Sequence, residues 1–202
     1  IDIEMLTKNN ERISYTTKIF KRKEAIFIPR HLNKHEAPCD IDFGKLIYTC
    51  KFLGIKKIIS TSAVGSNDYP VASIVLPEHF INLDNKVFDI SKDAQNYASF
   101  DEEFSSRLRE RIAMILEKKG IKFYRNSCYV CLRTSRFFET PSEVIFLEKM
   151  IKDAFKLINK KIGIVFGMTA CHEAMLSKIY GIEYQTISIV TNKAAGFGKK
   201  IS

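Results

Sequence analysis

The sequence predicts a single α/β domain, and three observations carry that prediction. Apolar, β-branched runs that stop at small polar residues occur over 57–66, 162–169 and 182–192, the signature of buried strands with polar carboxyl ends. Amphipathic segments with helix start and stop signals alternate with these runs, which argues for helices packed on a sheet. A chain of 202 residues, 46% hydrophobic and 27% charged, supports one substantial core rather than two.

Residues 13–20 alternate, turn through Lys21-Arg22-Lys23 and return as Ala25-Ile26-Phe27-Ile28, which reads as a β-hairpin leading to Pro29-Arg30-His31. Arg30 offers a planar fork of donors suited to phosphate, and His31 can add another. A helix follows: Asp42 can cap it, Phe43, Leu46, Ile47, Cys50 and Leu53 form its apolar stripe, and Gly54 suits its left-handed end. It leads into a strand over 57–62. Another strand is expected over 72–76, and 82–100 reads as irregular, suited to loops and a subunit contact. Phe104, Leu108, Ile112 and Ile115 place a helix over 102–118, closed by Gly120, ahead of a strand over 127–132. Thr140-Pro141-Ser142-Glu143 joins a capping box to a proline at the first helical position, so a long helix begins at Pro141 and continues through Val144, Leu147, Met150, Ile151, Ala154 and Ile158. The strand over 162–166 ends at Gly167-Met168-Thr169, where Thr169 can cap a short helix finishing near Gly181. The last strand stops at Thr191-Asn192. Ligands of α/β sheets sit beyond the carboxyl ends of strands, so Thr191 and Asn192 are the first site candidates.

A net charge of +9 suits an anionic ligand or nucleic acid. The basic residues are dispersed, however, with Lys18, Lys21, Arg22 and Lys23 about a turn, Lys118 and Lys119 closing a helix and Lys160 and Lys161 before a strand, so no nucleic-acid partner is expected. Cys39, Cys50, Cys128, Cys131 and Cys171 are too irregular for a disulfide framework and fit a reduced, cytoplasmic setting. Cys128 and Cys131 form a C-x-x-C inside a strand, where residues three apart face opposite sides, and Cys171-His172 are adjacent residues; neither suits chelation, and no metal is expected. No apolar run reaches the roughly 20 residues of a membrane span and no signal peptide is evident, so no membrane partner is expected. The sequence opens on Ile1 rather than Met, which leaves the natural amino terminus open.

Read in order, Pro29-Arg30-His31 with His35, Ser60-Thr61-Ser62-Ala63-Val64-Gly65-Ser66, Phe138-Glu139-Thr140-Pro141-Ser142-Glu143, Gly167-Met168-Thr169 with Glu173, and Thr191-Asn192 resemble the trimeric purine nucleoside phosphorylase and methylthioadenosine phosphorylase family. The resemblance runs from about Phe27 to Gly196. It implies a single domain over 1–202 with a mixed, barrel-like sheet surrounded by helices. It further implies phosphorolysis of purine nucleosides through an oxocarbenium-like transition state, with inorganic phosphate as co-substrate, no other cofactor, and a homotrimer or hexamer. Arg30, His31, Ser62, the backbone at Ala63, and Thr169 match the family's phosphate-binding positions. Val64, Gly65, Phe138, Glu139, Val165, Met168, Thr191 and Asn192 match the nucleoside side, with Asn192 and His31 as the catalytic candidates. Asn at position 192 resembles enzymes that take 6-oxopurines, whereas Asp there accompanies 6-aminopurines such as methylthioadenosine. Tyr97 would reach a neighbouring subunit's sugar pocket.

The chain also departs from the family pattern. No glycine-rich strand-turn precedes Ile13, Ser135-Arg136 stand where Gly-Pro is usual, and His172 replaces a proline before Glu173. The helix from Pro141 is longer than usual, and the sequence stops soon after Gly196, where members often continue into a final helix. A non-catalytic family member that binds nucleosides or serves as a structural subunit is the alternative reading.

Overall fold

The structure, a computed structural model, describes residues 2–6, 12–16, 18–20, 25–31, 36–86 and 98–198. Two hairpins come first: β1 (Asp2–Leu6) pairs with β2 (Arg12–Thr16), and β3 (Lys18–Phe20) pairs with β4 (Ala25–Phe27), both antiparallel. The second is the expected hairpin. The single strand expected over 13–20 is instead divided between the two, and β1 was not anticipated. His35 and Tyr97 lie outside the described residues, as does much of the irregular stretch expected over 82–100.

The body is a seven-stranded mixed sheet built from β5 (Lys57–Gly65), β6 (Ile74–Val75), β7 (His79–Asn82), β8 (Phe123–Tyr124), β9 (Ser127–Cys131), β10 (Gly163–Phe166) and β11 (Glu183–Asn192). Its order is β7-β9-β10-β5-β11-β6-β8. The two ends of that order are continuous with each other. The Leu76 amide donates to the Tyr124 carbonyl and the Glu78 amide to the Ser127 carbonyl, each at 2.9 Å, so the β6–β8 pairing runs on into the β7–β9 pairing. The sheet therefore returns on itself, which is the barrel-like closure that the resemblance implied.

Alternation along the strands sorts residues to the inside or outside of this closed sheet. Val64, Val75, Tyr129, Cys131, Val165, Tyr184 and Val190 meet inside with Phe104. Cys128, Val130, Ile164 and Phe166 face outward onto Val144, Leu147 and Ile151 of α3 (Pro141–Lys156). The C-x-x-C is thus split between two cores, as its spacing predicted. Helices α1 (Phe43–Phe52) and α4 (Ala170–Ile179) share a third cluster, through Phe43, Leu46, Ile47, Cys50 and Leu176. Ile112 and Ala113 of α2 (Ser106–Lys118) cover Leu76.

Local chemistry sets the boundaries. Asp42 accepts the Lys45 amide at 2.9 Å, and Gly54 closes α1 with φ +71. Thr140 and Glu143 complete the capping box in both directions, with Pro141 in the first turn. Two expectations move: α2 begins behind Ser105, whose hydroxyl accepts the Leu108 amide, rather than at Glu102, and β6 spans Ile74–Val75 because Ala72 takes φ +70, outside strand geometry. Thr169 sits at the cap position of α4, but its side chain makes no cap hydrogen bond.

Candidate active site

The carboxyl ends of β5, β10 and β11 meet at Gly65. This residue faces Phe166 on one side and Asn192 on the other, after the β5–β11 register slips between Val190 and Asn192. A Cβ at Gly65 would lie 3.0 Å from Asn192 Nδ2 and 3.4 Å from Ala194 Cα, so the glycine permits the close approach of the two strands. Asn192 is half-buried, its Nδ2 donating to the Lys193 carbonyl at 2.8 Å while its Oδ1 accepts the exposed Thr191 hydroxyl at 2.9 Å. Beyond it the chain turns at Gly196, φ +85, against the Pro141 ring, which brings the end of β11 beside the loop carrying Phe138 and Glu139. Phe138 is 57% exposed, whereas Glu139 is buried and burial pushes its carboxyl up from the ordinary range. The half-buried Met168 accepts the Thr134 hydroxyl on its carbonyl at 3.1 Å.

Val64 and Val165 lie in the interior of the closed sheet, 2% and 0% exposed, whereas Ala63 lies on the outer face of β5. They support Gly65 from behind. Ser62 also points inward and shares its hydroxyl with Thr186 and Ser188, each at 3.2 Å.

Arg30 reaches across from the hairpin to the sheet. Its guanidinium pairs with Glu173 at 2.6 Å and donates to the Thr61 carbonyl. Glu173 is buried in the first turn of α4, and its second oxygen accepts the Tyr184 hydroxyl at 2.5 Å, which in turn meets Ser60. Burial opposes the Arg30 charge, but the Glu173 carboxylate outweighs it and raises the guanidinium pKa above its ordinary value. His31 Nδ1 lies 2.8 Å from the Glu36 carbonyl. Among the described residues no hydrogen bond joins Arg30, Ser62 and Thr169 to one another; Glu173, one turn beyond Thr169, and Thr61, next to Ser62, are the links between them.

Residues that the sequence reading missed hold this end together. The fully buried Tyr129 hydroxyl accepts the amides of Thr169 and Ala170 at 3.2 and 3.4 Å, taking donors at the start of α4. Its ring lies so close to Gly167 that a Cβ there would fall 2.1 Å from the hydroxyl. Gly167→Ala should therefore destabilise the fold by about 1–3 kcal/mol, read in urea melts, because a sealed ring has nowhere to swing. An unchanged midpoint would show that the ring yields. The pairing of a glycine in a strand-end motif with a tyrosine in a distant strand was the only sequence signal available.

A second polar cluster joins Asp84, Cys131, Thr134 and His172. The neighbouring Cys171, with His172 and Thr134, holds the Cys131 thiol down at about 6 against the opposing effect of burial, while the Cys171 thiol donates to the Ile81 carbonyl at 3.9 Å. Elsewhere, at the amino end of β11, a cavity of about 250 Å³ is lined by Phe100, Glu102, Glu103, Lys178, Glu183 and Tyr184. Three carboxylates make it unsuited to an anion, and it is remote from Asn192 along β11.

The fold and the meeting of strand ends define an α/β protein of the nucleoside phosphorylase type. A methylthioadenosine phosphorylase from an Antarctic soil metagenomic library superposes with a TM-score of 0.80 at 21% identity, over 96% of this chain and 67% of that one. The Schistosoma mansoni methylthioadenosine phosphorylase does so with a TM-score of 0.76 at 18% identity, over 97% and 75%. Residues 14–200 match the phosphorylase superfamily, and the chain belongs to that family. It is 31% identical over 186 residues to a probable S-methyl-5'-thioinosine phosphorylase of Methanosarcina acetivorans, covering 91% of this chain and 66% of the relative. It is 29% identical over 207 residues to the 6-oxopurine nucleoside phosphorylase of Pyrococcus furiosus, covering 94% and 72%. The chain thus spans about two thirds of the length of these relatives. The family and fold expected from the sequence are borne out.

Proposed function

We propose that the protein catalyses phosphorolysis of purine nucleosides, taking 6-oxopurine nucleosides or methylthio nucleosides to the free base and the (methylthio)ribose 1-phosphate. The observation that carries this reading is the meeting of Gly65, Phe166 and Asn192 at three strand ends, in a chain of the phosphorylase superfamily. Phosphate is the co-substrate, and Arg30 has donors in its fork beyond those given to Glu173 and Thr61. Asn192 hydrogen-bonds the purine as negative charge gathers on it. Glu139, buried in the loop that Gly196 brings beside the end of β11, is the second side chain proposed to contact the purine. The names of the relatives support a 6-oxo or methylthio substrate, and no observation favours the non-catalytic alternative. Release of base from inosine, guanosine, adenosine and methylthioadenosine, measured with and without phosphate, tests the reading. Phosphate-dependent release from at least one is expected, and none from all four overturns it.

A homotrimer or hexamer belongs to the same proposal. Phe146 and Met150 lie 62% and 49% exposed on α3, with Leu157 at 86% just past its end and Phe137 at 75% before its start, apolar surface of the kind an interface covers. Light scattering at micromolar concentration should give three or six times the chain mass, and a monomer would refute the assembly. Five free cysteines favour a reducing, cytoplasmic setting. No helix among the described residues is long and apolar enough to cross a membrane.

A further inference from the structure

Three segments far apart in the chain each deliver one potential metal-ligand atom to the same small volume: Asp84 beyond β7, Cys131 at the end of β9, and His172 in the first turn of α4. Their ligand atoms all lie within 4.8 Å of one another. His172 Nε2 stands 3.0 Å from Asp84 Oδ2 and 3.9 Å from Cys131 Sγ, and the Thr134 hydroxyl touches the same nitrogen. Cys131 and His172 are fully buried, and the Asp84 side chain is 11% exposed.

One ring nitrogen has either a single proton or a single lone pair to offer, yet a carboxylate, a thiol and a hydroxyl crowd around it. Two of these groups have other partners, the Thr134 amide donating to Asp84 Oδ2 at 3.0 Å and the Thr134 hydroxyl to the Met168 carbonyl, and both bonds leave lone pairs on the carboxylate and hydroxyl oxygens for a cation placed among the ligand atoms. The donor set also names the cation. Magnesium and calcium take oxygen ligands, while one sulfur, one nitrogen and one oxygen suit a borderline-soft metal of the zinc class. A thiolate and a carboxylate supply two negative charges, which balance a divalent ion and leave no net charge in a buried place.

We propose that Asp84, Cys131 and His172 bind one zinc-class divalent cation, with the Thr134 hydroxyl or a water completing the set. The C-x-x-C and the Cys171-His172 pair were the visible motifs, and because each contributes only one ligand neither announced this site. The cation would tie the ends of β7 and β9 to the start of α4, next to Met168, whose carbonyl accepts from Thr134. It is a positioning site and is independent of which nucleoside is bound.

The test uses the full chain, stripped with a chelator under reducing conditions and titrated with Co(II) as a spectroscopic stand-in for zinc. One equivalent should bind, with the intense visible bands of a tetrahedral site and a sulfur-to-cobalt charge-transfer band, and Zn(II) should abolish both. Cys131→Ser should lose the charge-transfer band, and Asp84→Asn and His172→Gln should each weaken binding by at least about 10- to 100-fold, since changes even to outer-shell partners of a metal have effects of that size. Cys128→Ser, on the opposite sheet face, should keep the band. Spectra of the unmodified protein that match aqueous cobalt overturn the proposal without recourse to a variant. So does a charge-transfer band that survives Cys131→Ser or vanishes in a folded Cys128→Ser protein.

Discussion

Asn192→Ala should lower turnover of inosine by on the order of 100-fold or more, with a much smaller change in KM. When the glycosidic bond breaks, electrons move onto the purine, and a side-chain amide held at its edge donates more strongly to the transition state than to the bound nucleoside. In the proposed reaction Asn192 supplies that amide. Gly65 leaves room for it, and its two present bonds, to the Lys193 carbonyl and from the Thr191 hydroxyl, are local ones that a ligand can replace. A loss in kcat and in kcat/KM by the same factor is the mark of an interaction made in the transition state. Asn192→Asp should shift preference toward adenosine and methylthioadenosine, because a protonated acid can donate to a ring nitrogen while its other oxygen accepts from an amino group. Unchanged inosine turnover in the alanine variant would remove Asn192 from the chemistry.

Much of the fold was legible because it is written locally. The Asp42 and Thr140 caps and the Gly54 stop operate within four residues of the helix ends that they define, so their residue types suffice. The strand ends at Phe166 and Asn192 were legible for the same reason, whereas β5, expected over 57–62, runs on to Gly65. What distant pairing decides was not legible. Alternation gave β5 two faces, yet only closure of the sheet through Leu76 and Tyr124 shows that Val64 is sealed in while Ala63 is outside. Arg30 could be read as a phosphate donor from its chemistry, but nothing near it in the chain announces Glu173, 143 residues away. Asp84 carried no signal, and His172 only its adjacency to Cys171, until β7 and α4 were placed together.

That long-range ion pair sets the second large expectation: Arg30→Ala should destabilise the protein by about 3–5 kcal/mol, beyond any effect on phosphate. Glu173 is 2% exposed, and the carboxylate relies on Arg30 and Tyr184 for its charge and its hydrogen bonds. Removing the guanidinium leaves a buried charge uncompensated, which is the severe case; replacing both partners is the mild one. Glu173→Gln in the Arg30→Ala background should therefore recover stability, since a glutamine carbonyl still accepts the Tyr184 hydroxyl and carries no charge. The coupling between the two changes should fall in the range of about 0.5–3 kcal/mol, read from urea midpoints at constant slope. Arg30→Lys separates this structural role from the anion role. A lysine keeps the charge opposite Glu173 but loses the planar fork, so the fold should hold while the KM for phosphate rises by about 10-fold or more, as expected for a charge-assisted bond of about 1.5–3 kcal/mol. A lysine variant with unaltered phosphate dependence would confine Arg30 to holding Glu173. An alanine variant as stable as the parent would show instead that Glu173 does not depend on Arg30.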